Sequence, residues 1–287
     1  MTRPHLRRSV LFLPASNPRA VAKARELACD VVVLDLEDAV APEAKEEARE
    51  AAVAAIAEGF GHREVVLRVN GPSTPWGEAD LLAAVRAAPH AVLAPKVDTA
   101  DEVRLLNGAL CAAPERVRLW AMIETPRAVL NVGEIAAEAA STRLAALVVG
   151  LNDLGAATRA RPTPGREAFG YALAAAVTAA RAYGLLAIDG VHNAPEDEVG
   201  FEAVCQQGRD FGFDGKSLIH PRQIGAANRA FSPSQEEFAW AEAVAAAFAD
   251  PANSGRGAVR VEGKMAEALH LEEARRILGF RTVEVEG

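Results

Sequence analysis

The strongest constraint on this chain is an alternation. Short apolar runs rich in Val, Leu and Ile, each ending in a charged or amide residue, alternate with longer Ala-rich stretches of helical periodicity. That rhythm reads as βαβ units and a parallel sheet. The runs lie at 9–13, 31–35, 65–70, 91–96, 117–124, 145–152, 185–189 and 213–219, about eight, the number that closes a barrel. Those at 31–34 and 147–149 are apolar without alternation, as strands covered on both faces are. Helix-start signals follow several runs: Asn17-Pro18, Pro42 with Glu43, Glu46 and Glu47 behind it, and Thr125-Pro126. The expected fold class is α/β, a (β/α)8 barrel of TIM type over residues 1–231. Beyond it, a helix from Ser232-Pro233 to about Phe248, a Gly/Pro/Asn/Ser-rich loop at 251–257, a short run at 258–261 and a helix at 271–278 predict a C-terminal helical appendage, 232–287, packing at a subunit interface.

Composition narrows the function classes. The 287 residues are 50% hydrophobic and 24% charged, with a formal net charge of −8. No basic run is present, which argues against nucleic-acid binding, since phosphate neutralisation needs clustered Lys and Arg. Cys29, Cys111 and Cys205 lie far apart, with neither metal-ligand spacing nor an even count for a disulfide framework. The basic N-terminal stretch 1–8 lacks a following signal-peptide core, and no run approaches the roughly 20 apolar residues of a membrane span. A soluble, cytoplasmic protein without a membrane partner is the expectation. Gly208, Gly212 and Gly215 do not form a dinucleotide fingerprint, and P-loop, G-x-S-x-G and H-E-x-x-H motifs are absent.

In a parallel barrel, residues just past the strands' C-terminal ends converge on one mouth. Here they include Asp35, Glu37, Asp38, Arg68, Asn70, Lys96, Glu124, Asn152, Asp153, Asp189, His192 and His220. Crowded carboxylates repel and lose solvation, and a divalent cation relieves both problems. Hard oxygen donors point to Mg2+, or Mn2+, rather than zinc, and Glu124 and Asp153, at consecutive strand ends, are the candidate metal ligands. The alternative is a structural network in which the carboxylates pair with Arg68 and Lys96. Arg68 could hold a substrate carboxylate through two parallel hydrogen bonds, or form a salt bridge with Asp35 or Glu37. Lys96 reads as an ion-pair member before a Schiff-base former, and His220 as a general base or a structural histidine.

The motifs on these runs resemble the citrate lyase β-subunit-like family of the HpcH/HpaI aldolase/citrate lyase superfamily, which includes malyl-CoA, citramalyl-CoA and citryl-CoA lyases. They include Arg8-Ser9-Val10-Leu11-Phe12-Leu13-Pro14, Leu34-Asp35-Leu36-Glu37-Asp38-Ala39, Arg68-Val69-Asn70-Gly71 and Ala94-Pro95-Lys96-Val97. Ile123-Glu124-Thr125-Pro126, Gly150-Leu151-Asn152-Asp153-Leu154 and Gly212-Phe213-Asp214-Gly215-Lys216-Ser217-Leu218-Ile219-His220-Pro221 follow in order, then Gly263-Lys264-Met265. The resemblance implies a barrel of the phosphoenolpyruvate/pyruvate superfamily assembled as a homotrimer or a dimer of trimers. It implies Mg2+ on Glu124 and Asp153, Arg68 on the keto-acid carboxylate, and Phe12 and Lys23 against coenzyme A. Asn17 replaces an Arg of some relatives. Glu267 stands where relatives carry an Asp that a neighbouring subunit inserts as an acid/base.

The activity so implied is Mg2+-dependent cleavage, or condensation, of a 3-hydroxyacyl-CoA thioester into an acyl-CoA and a small α-keto acid. Arg68, Glu124, Asp153 and Glu267 are its catalytic candidates, and Glu37 and Asp38 would hold metal-bound waters. Two alternatives stay open: a metal-dependent aldolase on free hydroxy-keto acids, and a citrate lyase β subunit acting on an acyl-carrier-protein thioester.

Overall fold

The computed structural model describes residues 6–284, with side chains to 281. The remaining termini, which the expected domain bounds and the basic stretch 1–8 partly include, lie outside the described residues. Eight parallel strands close a barrel in sequential order: β1 Ser9–Pro14, β2 Val31–Asp35, β3 Glu64–Arg68, β4 Ala91–Ala94, β5 Arg118–Ile123, β6 Leu144–Val149, β7 Leu186–Asp189 and β8 Gly215–Leu218, with β8 pairing back onto β1. Helices α1 Pro18–Ala24, α2 Lys45–Glu58, α3 Gly77–Ala87, α4 Ala100–Ala109, α5 Pro126–Leu130, α6 Val132–Ala137, α7 Leu151–Thr158, α8 Gly170–Ala182, α9 Glu198–Phe211 and α10 Gln223–Ala230 lie between and after the strands. The fold is the TIM-type (β/α)8 barrel the alternation predicts.

The side-chain period of two along each strand sorts residues into two cores. Val10, Val33, Val66, Leu93, Trp120, Val148 and Ile188 fill the barrel interior. The opposite face packs against the helices in a larger apolar layer that includes Leu11, Leu34, Leu67, Leu119 and Leu147. The same parity carries the functional residues. Asp35, Arg68 and Glu124 continue the inward rows of Val33, Val66 and Met122, so the apolar plug hands over to charge at the mouth.

Several strands end earlier than expected. β4 stops at Ala94 because Lys96 turns into the left-handed region, φ 51°, which breaks an extended ladder. Asn152 and Asp153 are not strand-end residues; they occupy the first turn of α7.

The chain divides at Phe231/Ser232 into the barrel unit, from Arg7, and a second compact unit. The second unit, taken by itself, packs α11 Gln235–Ala249 and α12 Ala268–Glu284 against a hairpin of β9 Ala258–Val261 and β10 Lys264–Glu267. This segment is not purely helical. Lys264–Glu267 has little strand propensity of its own, and antiparallel pairing with β9 supplies what propensity does not. Ser234 starts α11 with a capping box to Glu237. Among the described residues no helix is long and apolar enough to cross a membrane.

Candidate active site at the barrel mouth

Arg68 ends β3 facing inward, 7% exposed. Its Nε donates to Asp35 Oδ1 at 2.7 Å and its Nη2 to Asp35 Oδ2 at 2.5 Å, a two-pronged pairing along one edge of the guanidinium. Nη1 lies 2.8 Å from Glu37 Oε2 and 3.5 Å from Asp38 Oδ2. The contact to Glu37 Oε2 is an ion contact without hydrogen-bond alignment, leaving that buried oxygen without a hydrogen bond among the described residues. The pKa of Arg68 is raised: burial works against its charge, and the Asp35 bond with the neighbouring carboxylates more than compensates. The salt-bridge alternative is therefore what forms. A substrate carboxylate cannot take the Nε–Nη2 edge, which Asp35 fills, so binding would fall to Nη1 and the outer hydrogen of Nη2. Phe12, on β1, stacks at the same place, its ring centroid 5.5 Å from the guanidinium carbon.

Lys96 bridges the acidic residues. Its left-handed backbone aims its N–H at Glu124 Oε1, 2.8 Å away, while its ammonium donates to Glu37 Oε1 at 2.8 Å and stands 3.8 Å from Asp153 Oδ1. A non-glycine residue held there stores backbone strain, a feature that concentrates at functional sites. Its pKa is raised, because the Glu37 contact outweighs the burial that opposes its charge. With its charge committed to Glu37, Lys96 is an ion-pair member rather than a free amine.

Glu124 follows the last residue of β5 and is 1% exposed. Burial first, then repulsion from Glu37 and from Asp153, pushes its pKa up to about 7. It packs flat over Gly150: a Cβ there would sit 2.5 Å from Glu124 Cβ. Only glycine permits this approach. Asp153 is the more open carboxylate, its side chain 39% exposed. Glu37 is also raised, by burial, despite two cations beside it.

Asp35, Glu37, Asp38, Glu124 and Asp153 thus gather around Arg68 and Lys96, leaving negative charge in excess. No group of three or more His, Cys, Asp or Glu among the described residues forms a ready-made metal cage. That donor set suits Mg2+, which takes one or two carboxylates and completes its shell with water and substrate oxygens. The raised pKa of Glu124 is the local signature that a cation would relieve. Glu124 and Asp153 are the residues that could hold such an ion.

The remaining candidates are more dispersed. Lys23, on α1, is exposed and pairs with Glu26 at 3.3 Å. Asn17 caps α1, accepting the Ala20 N–H at 3.1 Å, so its side chain serves the helix. His220 Nδ1 accepts the Arg222 N–H at 3.2 Å, a local turn contact. Glu267 ends β10 in the second unit, exposed, its N–H donating to His270 Nδ1 at 3.0 Å. Asp35 and Lys96 take the ion-pair roles that their strand-end positions suggested. Gly150 had no assigned role, because its requirement arises only when β5 and β6 lie side by side.

Comparison with known proteins identifies the family. The family model described as HpcH/HpaI aldolase/citrate lyase matches residues 8–221. A (3S)-malyl-CoA thioesterase of Cereibacter sphaeroides is 45% identical over 275 residues, covering 96% of this chain and 94% of that protein. The citrate lyase subunit beta of Escherichia coli K12 is 34% identical over 280 residues, covering 95% and 92%. CitE from Mycobacterium tuberculosis, solved with magnesium, acetoacetate and coenzyme A, superposes with a TM-score of 0.76 at 33% identity, covering 94% of this chain and 96% of that one. A closed eight-stranded barrel, a family model matching residues 8–221 and relatives covered nearly end to end establish that the chain belongs to the HpcH/HpaI aldolase/citrate lyase family.

Proposed function

We propose that this lyase cleaves, or in reverse forms, the carbon–carbon bond of a 3-hydroxyacyl-CoA, releasing an acyl-CoA and a small α-keto acid. The observation that carries the reading is the excess of buried carboxylates around Arg68 and Lys96, with Glu124 pushed up to about 7. The magnesium and coenzyme A in the related CitE complex support the same assignment. Glu124 and Asp153 would hold the cation, which when bound supplies Lewis-acid stabilisation of charge on the keto oxygen.

The chain's own residues do the rest. Arg68, locked by Asp35, presents Nη1 to the keto-acid carboxylate at a fixed position, so orientation is built in before substrate arrives. Lys96 holds Glu37 and Glu124 in register. In cleavage a base takes the hydroxyl proton, the bond between the carbinol carbon and the thioester α-carbon breaks, and its electron pair enters the acyl thioester enolate. Glu267, reaching in from a neighbouring subunit of a homotrimer or dimer of trimers, returns a proton to that carbon, so protons balance. Phe12 and Lys23 would contact the coenzyme A portion, and Glu37 and Asp38 the waters of the cation.

A second reading comes from the 45% identical relatives, whose name specifies thioester hydrolysis. Malyl-CoA incubated with the pure protein and Mg2+ separates the two. Glyoxylate with acetyl-CoA and no free thiol is the expected outcome; malate with free coenzyme A thiol would replace the lyase reading by hydrolysis. Mixing Glu267→Ala protein with Glu124→Gln protein tests the shared site. Mixed oligomers should regain part of the activity that each variant lacks, and no recovery after subunit exchange would remove Glu267 from the mechanism.

A further inference from the structure

A cavity of about 770 Å³ opens beside α7, between the segment running from α7 to α8 and the β7–α9 loop. That volume is within the range of small-molecule sites. Leu151, Ala156, Ala160, Phe169, Val191 and Val204 give it mainly apolar walls.

The walls are held from behind by buried charge. Arg166, 7% exposed and left-handed at φ 54°, donates from Nη1 to both Asp189 oxygens at 2.8 and 2.9 Å, and from Nε to Gln207 at 2.7 Å. Gln207 in turn donates to Gly165 O at 2.6 Å, and Asp189 also accepts from the fully buried Lys216 at 2.9 Å. The loop is thereby tied to β7, β8 and α9. Breaking any of these buried contacts is costly, so the cavity is pre-formed rather than a gap that side chains can close. Arg166 itself is fully used and has nothing to offer a ligand.

Two other groups are not so committed. Arg159, at the end of α7, lines the cavity, and its guanidinium has no ion pair among the described residues. His192 Nε2, in the opposite wall, is buried without a hydrogen bond and 3.7 Å from Asp197 Oδ2. Burial, with Lys216 nearby, lowers the His192 pKa, so the wall offers a neutral imidazole rather than a second cation. Asp197 contributes the one carboxylate, and its Oδ1 is spent capping α9 at Gly200, 2.9 Å away. One unpaired guanidinium, a neutral polar atom and apolar walls suit one anionic group on an apolar body. A polyanion would meet Asp197 with a single Arg to hold it.

We propose that this cavity is a second ligand site, taking a monocarboxylic acid with an apolar body, its carboxylate on Arg159 and its chain against Phe169 and Val204. The site does not depend on the proposed lyase chemistry, and its test is run in chelator, without Mg2+ or thioester. Octanoate is titrated by calorimetry into the full chain, with octan-1-ol as the uncharged counterpart. Saturable binding at one site per chain is expected, at least about tenfold tighter than octan-1-ol, since a charged hydrogen bond is worth about 1.4 kcal/mol or more. Arg159→Asn, which tolerates the left-handed backbone, should weaken octanoate about tenfold, and Ala203→Trp, placed on the exposed rim of α9, should abolish binding by filling the space. The thermal midpoint of each variant is checked first. No saturable binding by the wild type, equal affinity for the alcohol, or undiminished binding in either folded variant would overturn the assignment.

Discussion

Glu124 carries the largest testable consequence. Its carboxyl is 1% exposed, accepts the Lys96 N–H at 2.8 Å, and is pushed from 4.5 to about 7, by burial first and then by Glu37. For a carboxyl raised in the folded state, the folded protein binds the proton more tightly than the unfolded chain. The linked stability is complete below the unfolded value, falls as pH rises from about 4.5 to about 7, and is gone above that. At about 1.4 kcal/mol per pH unit, the interval is worth up to about 3 kcal/mol. Glu124→Gln keeps the acceptor oxygen and removes the charge. In chelator the variant should be more stable than wild type by about 1–3 kcal/mol at pH 8 and no more stable at pH 4.5, while losing Mg2+-dependent turnover. Mg2+ at a hundred times its dissociation constant should remove most or all of that advantage, because it stabilises the folded wild type by about 2.7 kcal/mol. Urea unfolding followed by circular dichroism between pH 4.5 and 8.5, with and without Mg2+, reads both effects. Equal stabilities at pH 8 in chelator would refute the burial argument, and equal Mg2+ stabilisation of both proteins would refute Glu124 as a ligand.

Asp153→Ala should abolish Mg2+-dependent cleavage and the Mg2+-induced rise in midpoint; retention of full activity would remove it from the metal site. Arg68→Ala should lose keto-acid binding, and because Asp35 remains as an anionic socket, millimolar guanidinium should restore part of the turnover. The same addition should do nothing for Arg68→Ala combined with Asp35→Asn, and equal rescue in both would show that Asp35 does not position the guanidinium. Gly150→Ala places a methyl against Glu124 Cβ at 2.5 Å, so it should cost about 1–3 kcal/mol of stability from overpacking and sharply reduce Mg2+ affinity; wild-type Mg2+ titration curves would contradict the close approach.

The barrel was legible because its signal is local and repeated. Each apolar run ends in a polar residue, and in a parallel barrel all strand ends point the same way, so the list of rim residues could be written without coordinates. Arg68 and Glu124 reach the mouth by this rule, whereas Asp153, expected at a strand end, lies in the first turn of α7. The hairpin strand Lys264–Glu267 was not, since four residues of weak strand propensity become a strand only beside β9.

What the chain alone determined is which residues reach the mouth and what charges they carry, for parity along a strand and hydrophobic period are properties of neighbouring residues. What tertiary structure decided is how those charges divide. Asp35 takes one whole edge of Arg68 from 33 positions away, Lys96 turns left-handed to serve Glu124 with its backbone and Glu37 with its side chain, and Gly150 makes room for the buried carboxylate. Pairing energies and desolvation depend on distances of a few ångströms between residues remote in sequence, and only the closing of the barrel sets those distances.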